Sequence, residues 1–332
     1  MGRERPVAVL GLGSIGLRHA RNLLGLGQSV VGFDPDPERR GALQALGGRA
    51  MDDRTAVLDE ARAVVVASPN AFHLADLADA VARRLPVLVE KPLAHNADAC
   101  ARLLKDADAQ GVIVAAALNL RFHPAVRAAR ACLLEGKLGH PLWARLICAS
   151  YLPAWRPHQD YRAGYTAAAE TGGVLFDIIH EFDLAIHLLG PGRTLAAAAR
   201  RSGLLEIASE DCADVILAHD SGVRSALHLD YVTRPRRRVT EIAGTEGLLE
   251  INLNTRQFRR WNIAGDLVDD IGFPGIPDED YISEMTEFLD CVAGRAYPTC
   301  EGLEALMVLK QVIAARALAA LPSTSPPPSP EI

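Results

Sequence analysis

The chain has no uninterrupted apolar run of about eighteen residues, the length a membrane-spanning helix needs, and Met1-Gly2-Arg3-Glu4-Arg5 leads straight into strand-like sequence. Neither a membrane span nor a signal peptide is therefore expected. A positive charge excess is also missing: 35 Lys and Arg against 41 Asp and Glu leave −6, which offers no basic field for nucleic acid. The six cysteines (Cys100, Cys132, Cys148, Cys212, Cys291, Cys300) are scattered, with no C-x-x-C pair and no histidine cluster beside them. They read as buried thiols in a reducing compartment, so a cytoplasmic location and no metal site are expected. What remains is an ordinary globular balance, 49% hydrophobic and 23% charged. Its 332 residues are enough for two domains, each burying its own core.

The most informative stretch runs from Val7 to Asp34. Val7-Ala8-Val9-Leu10 is a short apolar run of the kind used by a strand buried on both faces, and Gly11-Leu12-Gly13-Ser14-Ile15-Gly16 follows without a gap. A helical period then carries Ala20, Leu23 and Leu24 before a second apolar strand, Val30 to Phe33, which ends at Asp34. In such an arrangement the first glycine makes the tight turn and the second lets the backbone approach a pyrophosphate. The third lets the helix pack on the sheet, and its N-terminus offers N–H groups to the phosphates. Asp34, eighteen residues after Gly16, falls where a ribose diol needs an acceptor pair, which favours NAD. Arg39 and Arg40 follow closely and keep NADP open.

Helix and short strand continue to alternate, as in a doubly wound parallel α/β sheet. Glu38 to Leu46 reads as a helix, and Ala63 to Ala67 as a strand leading into Ser68-Pro69-Asn70 and a helix with His73. Such a strand end faces the ligand crevice, although Ser68-Pro69-Asn70 is equally a turn with good capping chemistry. Val87-Leu88-Val89 is a further strand, ending in Glu90-Lys91-Pro92. A lysine held at a strand end by a following proline is restrained in a way that a surface lysine is not.

Taken in order, G-x-G-x-x-G, Asp34, Ser68-Pro69-Asn70-x-x-His73, Glu90-Lys91-Pro92, Asn119-Leu120-Arg121-Phe122-His123-Pro124 and Gly172-Gly173 through Asp177-Ile178-Ile179-His180-Glu181-Phe182-Asp183 resemble the Gfo/Idh/MocA family of nicotinamide-dependent oxidoreductases. The resemblance implies an N-terminal Rossmann domain over 1–120 and a C-terminal α+β domain with an open, largely antiparallel sheet over 121–321. Residues 322–332, PSTSPPPSPEI, are expected to form a disordered tail. It also implies a cofactor site made of Gly11 to Gly16, Asp34, Ser68, Pro69, Asn70, His73, Glu90, Lys91, Asn119 and Arg121. Lys91 would touch both nicotinamide and substrate, and a cis Lys91–Pro92 bond goes with that role.

In the second domain, the loop from Trp155-Arg156 to Tyr161-Arg162 and Tyr165 is rich in groups that hold polyols and carboxylates; apart from the resemblance, it is equally a surface loop. Val174 to Leu189 reads as one helix, with Asp177 and His180 three residues apart and able to share a site. Most relatives space this acid and histidine by four. The chain matches a branch with Asp-x-x-His-Glu-x-Asp, associated with acidic and nucleotide-sugar gene clusters, which leaves open whether Asp177 contacts substrate. His187 and His228 read as structural. Arg234 to Arg238, RPRRR, reads as a solvated edge or a phosphate contact rather than a nucleic-acid patch.

The implied activity is hydride transfer between NAD and a secondary alcohol or ketone of a sugar, nucleotide-sugar or polyol, with His180, Lys91 and Asp177 as the catalytic set. The alternatives are a dinucleotide-binding regulator without catalysis, or a reductase of a diol, imine or tetrapyrrole. A homodimer or homotetramer built through the C-terminal sheet is expected, with no nucleic-acid or membrane partner.

Overall fold

The computed structural model describes residues 5–276 and 278–319, so the expected tail and the last residues of the expected C-terminal domain lie outside the described residues. The chain divides into two units, one formed by residues up to Phe122 together with Asp278–Leu309 and the other by the rest.

In the first unit β1 (Val7–Leu10) and α1 (Ser14–Gly25) are followed by β2 (Val30–Phe33), α2 (Pro37–Ala45), β3 (Arg49–Met51), α3 (Arg54–Glu60) and β4 (Ala63–Val66). Next come α4 (His73–Ala82), β5 (Val87–Glu90), α5 (Ala97–Ala109) and β6 (Val114–Ala117). The strands lie in the order β3-β2-β1-β4-β5-β6, all parallel. Strand order reverses between β1 and β4, so the loops after these two strands open side by side at the sheet's carboxyl edge, where doubly wound folds bind ligands. β1, β4 and β5 are apolar runs buried on both faces, as a parallel sheet between helices demands.

The second unit starts with α6 (Pro124–Leu134), with Pro124 at the first turn and the His123 ring accepting the Ala125 N–H. β7 (Pro141–Ala149) leads into a segment of short 3-10 turns. The region expected as one helix from Val174 to Leu189 is two, α7 (Val174–Asp177) and α8 (Ile179–Leu189), because Ile178 leaves helical geometry at φ −94°, ψ 36°. β8 (Gly192–Arg200), β9 (Cys212–His219), β10 (Arg224–Asp230), β11 (Arg237–Gly244), β12 (Gly247–Asn252), β13 (Gln257–Asn262) and β14 (Leu267–Gly272) complete it. They form an eight-stranded sheet ordered β14-β13-β12-β11-β7-β10-β9-β8. Only β7 and β10 pair in parallel, so the expected open, largely antiparallel sheet is found. Helices α6 and α8 pack against it.

The chain then returns to the first unit through α9 (Glu279–Val292) and the start of α10 (Gly302–Leu318). Met285 and Phe288 of α9 are buried in the same core as Val7, Val9, Leu23 and Leu88. This departs from the expectation that 121–321 forms one continuous domain. The apolar face of α9 matches a gap beside α1, a match that no local pattern announces.

Candidate active site

The turn after β1 brings three glycines together for different reasons. Gly11 holds φ +87°, and a Cβ there would lie 2.5 Å from the Ser68 Cα; one on Gly16 would lie 1.9 Å from the Gly11 carbonyl oxygen. Gly13, at an ordinary φ of −68°, would meet nothing within 4 Å. Packing within the protein therefore requires glycine at 11 and 16, whereas at 13 it leaves open a cradle directly over the start of α1. Helices α2, α3 and α5 are capped by the side chains of Asp36, Asp53 and Asn96, but α1 begins at Ser14-Ile15-Gly16 with no side-chain cap and no acid in its first turn. An open cradle above an uncapped helix N-terminus fits the pyrophosphate of a dinucleotide.

Asp34 is almost fully buried at the end of β2. Its Oδ2 accepts the Leu12 N–H at 2.8 Å and its Oδ1 the Asp36 N–H at 3.0 Å, which ties the glycine turn to the second strand. Each carboxylate oxygen keeps a further lone pair for a ribose hydroxyl. Of the two arginines that kept NADP open, Arg40 donates to the Asp34 and Pro35 carbonyls at 2.7 and 3.0 Å, and half-exposed Arg39 lies 3.5 Å from both Asp34 and Asp36. Both are drawn toward the acid, an arrangement suited to a ribose diol.

At the end of β4 the Ser68 hydroxyl donates to Asp76 at 2.5 Å, and Asp76 is in turn paired with Arg54. Pro69 precedes a 3-10 turn, Asn70–Phe72, so Asn70 opens that turn rather than capping α4. His73 is buried with one ring nitrogen 2.8 Å from the Pro92 carbonyl and the other 2.9 Å from the Ser68 carbonyl. It braces the loop after β4 against the loop after β5, so its nitrogens face the protein rather than the cradle.

Glu90 ends β5, also buried. One oxygen is 2.7 Å from His19 Nε2 on α1 and the other accepts the Lys91 N–H at 3.1 Å. Burial pushes the Glu90 carboxyl up, but the His19 bond and charge and the adjacent Lys91 outweigh it, and its pKa lies below the ordinary value. Lys91 is half-buried and the Lys91–Pro92 peptide is cis, as expected.

Asn119 and Arg121, expected at the cofactor, also bond to the returning segment. The Asn119 amide donates to Asp280, and Arg121, 3% exposed, donates to the Thr299 carbonyl at 2.7 Å and to Glu304 at 2.5 Å. They fasten the returning segment to the first unit.

In the second unit Asp177 lies at the centre of a phenol cluster. Its Oδ1 accepts the Tyr165 hydroxyl at 2.5 Å and its Oδ2 the Tyr231 hydroxyl at 3.1 Å. Tyr165 is 41% exposed, whereas Tyr231 is fully buried with its hydroxyl pKa raised well above the ordinary value by burial and by Asp177. Trp155 stands edge-on to Tyr231 with centroids 5.5 Å apart, and its Nε1 donates to Ser150 at 2.8 Å. The sequence reading missed Tyr231, which lies in an alternating strand pattern where a buried tyrosine looks like any other core residue. Its signal is chemical, since a fully buried phenol needs a partner.

His180 opens α8, half-buried, and the next residue, Glu181, is held by Arg238 through two bonds at 2.7 and 3.1 Å. Arg234 stacks over Tyr151 at 3.2 Å, so two members of the basic run have structural partners and neither is a free phosphate contact. Arg156 is exposed. Tyr161 and Arg162 are engaged within their own surface: Arg162 pairs with Asp160 at 2.8 Å and Glu206 at 2.9 Å, and the Tyr161 hydroxyl accepts the Glu206 N–H at 3.3 Å. Among the residues expected at the substrate, the structure thus gathers Asp177, Tyr165 and Trp155 around Tyr231, and leaves Tyr161 and Arg162 in a separate exposed cluster. No group of three or more His, Cys, Asp or Glu side chains that could hold a metal ion occurs among the described residues.

The first unit is a dinucleotide-binding domain, by strand order and by its turn. Residues 5–118 match the model of the oxidoreductase family with an NAD-binding Rossmann fold, and residues 126–250 match the GFO/IDH/MocA C-terminal domain. The chain belongs to the GFO/IDH/MocA oxidoreductase family, and its cofactor is NAD. D-apiose dehydrogenase of Paraburkholderia graminis is 29% identical over 242 residues, covering 69% of this chain and 62% of that one. UDP-N-acetylglucosamine 3-dehydrogenase of Acidithiobacillus ferrooxidans is 23% identical over 93% of this chain and 95% of its own. An oxidoreductase from Agrobacterium radiobacter, solved with NAD+, L-tartaric acid and magnesium, shares the fold with a TM-score of 0.84 at 22% identity, covering 96% of both chains.

Proposed function

We propose that this protein is an NAD-dependent dehydrogenase that interconverts a secondary alcohol and a ketone on a sugar, nucleotide-sugar or polyol. The observation that carries the reading is the open cradle at Gly13 above an uncapped helix, in a chain that has Lys91 at the end of β5 and His180 behind the double glycine. The names of the relatives, a D-apiose dehydrogenase and a UDP-N-acetylglucosamine 3-dehydrogenase among them, support the substrate class.

NAD, when bound, supplies the acceptor for the carbinol hydride, and the donor in the reverse direction. His180 takes the hydroxyl proton, a role suited to imidazole, whose unperturbed pKa is about 6.5. The Lys91 ammonium offsets the negative charge that grows on the oxygen as its proton leaves. Asp177, whose oxygens both accept phenol hydrogens, acts in this reading by aiming Tyr165 rather than by binding substrate.

The test is a panel of sugars, inositols and nucleotide-sugars followed at the nicotinamide absorbance. On whichever compound turns over, Lys91→Ala and His180→Ala are each expected to lower kcat by about 10²-fold with NADH affinity nearly intact. Near-normal turnover in both variants would remove the mechanism, and NADH binding with no turnover anywhere on the panel would favour a regulator.

The C-terminal sheet supports a homo-oligomer. Register places Trp143, Ala243, Leu248, Trp261 and Leu267 directly across five neighbouring strands, an apolar row with Trp143 and Leu267 exposed at its ends. Beside it runs the charged row Arg145, Glu241, Glu250, Arg259 and Asp270. An apolar band edged by paired charges suits a self-complementary contact between two copies. A monomer by light scattering at micromolar concentration would contradict it. Six free, buried cysteines support a cytoplasmic location, and no helix among the described residues is long and apolar enough to cross a membrane.

A further inference from the structure

His19 lies on α1, three residues after the last glycine of the turn, with no exposed surface. Its Nε2 sits 2.7 Å from Glu90 Oε1, so with the carboxylate ionised Nε2 carries the shared proton. Its Nδ1 is buried without a hydrogen-bond partner among the described residues. A buried ring nitrogen left without a bond is uncommon and calls for a reason. Nor is this pair isolated. The Tyr281 ring meets His19 edge-on at 6.1 Å, Arg18 stacks over the same ring at 4.7 Å, and Arg18 pairs with Asp278 at 3.2 Å. The titratable groups gathered here are Arg18 and His19 from α1, Glu90 from β5, and Asp278, Asp280, Tyr281 and Glu284 from the returning segment. Within that set Glu90 is the carboxylate whose second oxygen receives the backbone N–H of Lys91.

We propose that His19 and Glu90 are positioning residues for Lys91, an imidazole–carboxylate pair that fastens the nucleotide helix to the end of β5, fixes where Lys91 leaves the strand, and keeps a negative charge beside its ammonium. The choice of residues follows from that task. A carboxylate is needed because a cation at a buried strand end requires a nearby counter-charge. An imidazole meets the need because it donates to that carboxylate through a ring set edge-on against Tyr281. A lysine would bring a second ammonium to compete for Glu90. The burial that pushes the Tyr281 hydroxyl up to about 12, together with Glu90 and despite Arg18, fits a neighbourhood whose negative charge is held by the carboxylate.

The inference rests on the role given to Lys91 above, and its test reads Lys91 directly, without substrate. The chain has four lysines, Lys91, Lys105, Lys137 and Lys310, so the pH dependence of acetylation at each by acetic anhydride is resolved by peptide mass spectrometry, the other three serving as references. Only the neutral amine reacts. Glu90→Gln, which keeps the shape and removes the charge, is expected to lower the Lys91 midpoint by roughly one pH unit. His19→Ala is expected to lower it in the same direction, and His19→Gln, which restores an N–H toward the carboxylate, to return it to the parent value. Should Glu90→Gln fail to fold, the His19 pair decides alone. A Lys91 midpoint unmoved by both Glu90→Gln and His19→Ala, or one that falls equally in His19→Gln and His19→Ala, overturns the proposal. Failure of the underlying reading has a different signature, namely normal turnover in Lys91→Ala.

Discussion

At position 13 the side chain is absent although the protein leaves room for one. An alanine at Gly13 keeps an allowed backbone angle and touches nothing, so it is expected to cost less than about 1 kcal/mol of stability while placing a methyl group where a pyrophosphate must approach. At Gly16 the same methyl meets a carbonyl oxygen at 1.9 Å and the fold has to move. Thermal melts and NADH fluorescence titrations separate the two: Gly13→Ala melts near the parent and binds NADH at least tenfold more weakly, whereas Gly16→Ala loses melting temperature first. Parent-like NADH affinity in a folded Gly13→Ala would undo the cradle. Such single positions were legible in the sequence because the turn is local, its glycines, helix and acid lying within 28 residues, Val7 to Asp34. Asp177 shows the opposite case. Its partners are Tyr165, twelve residues back, and Tyr231, 54 residues ahead, and the spacing to His180 invited a direct pairing that says nothing of either phenol.

Elements were legible where their pattern is locally forced. Continuous apolar runs gave β1, β4 and β5, and the pattern of α2 placed its ends within about two residues. β8, reading GRTLAAAAR, β13 and β14 were not expected. Alanine has weak strand preference, and β13 and β14 are held by charged cross-strand pairs such as Arg260 with Asp269 at 2.6 Å rather than by apolar alternation. β10 carries a second kind of cross-strand pair. His228 lies opposite Asp214 at 2.7 Å, with Asp230 at 3.2 Å, and the bond to Asp230, then that to Asp214, raises its pKa to about 9 against partial burial. Its folded value thus stands above the ordinary 6.5, so the stabilisation is complete below about pH 6.5 and is lost as pH rises through 9. His228→Gln is expected to melt below the parent at pH 6, with the gap closing by about pH 10. A gap independent of pH, followed by denaturant titration from pH 6 to 10, would mean that the imidazole is not charged in the sheet.

For the whole molecule, the chain leaves its first unit at Phe122 and comes back at Asp278, which no composition shift in the sequence marks. The returning α9 places Met285 and Phe288, both essentially inaccessible, into the core under β1 and β5, and supplies Asp280 to Asn119. Burying two side chains of this size contributes roughly 3–6 kcal/mol, a large share of the 5–15 kcal/mol that holds a typical domain. A fragment ending at residue 120, where the sequence places the domain boundary, therefore lacks part of its own core. It is expected to show no cooperative melt by circular dichroism and to bind NADH weakly or not at all. Joining residues 1–122 to 278–309 through a short flexible linker is expected to restore both, because Asn119 and Asp280 already bring the cut ends near each other and closing a short loop costs little. A cooperative melt from the 1–120 fragment alone would show that α9 decorates the first unit rather than completing it. In that case the dinucleotide site would have to be regarded as independent of the segment that carries Tyr281.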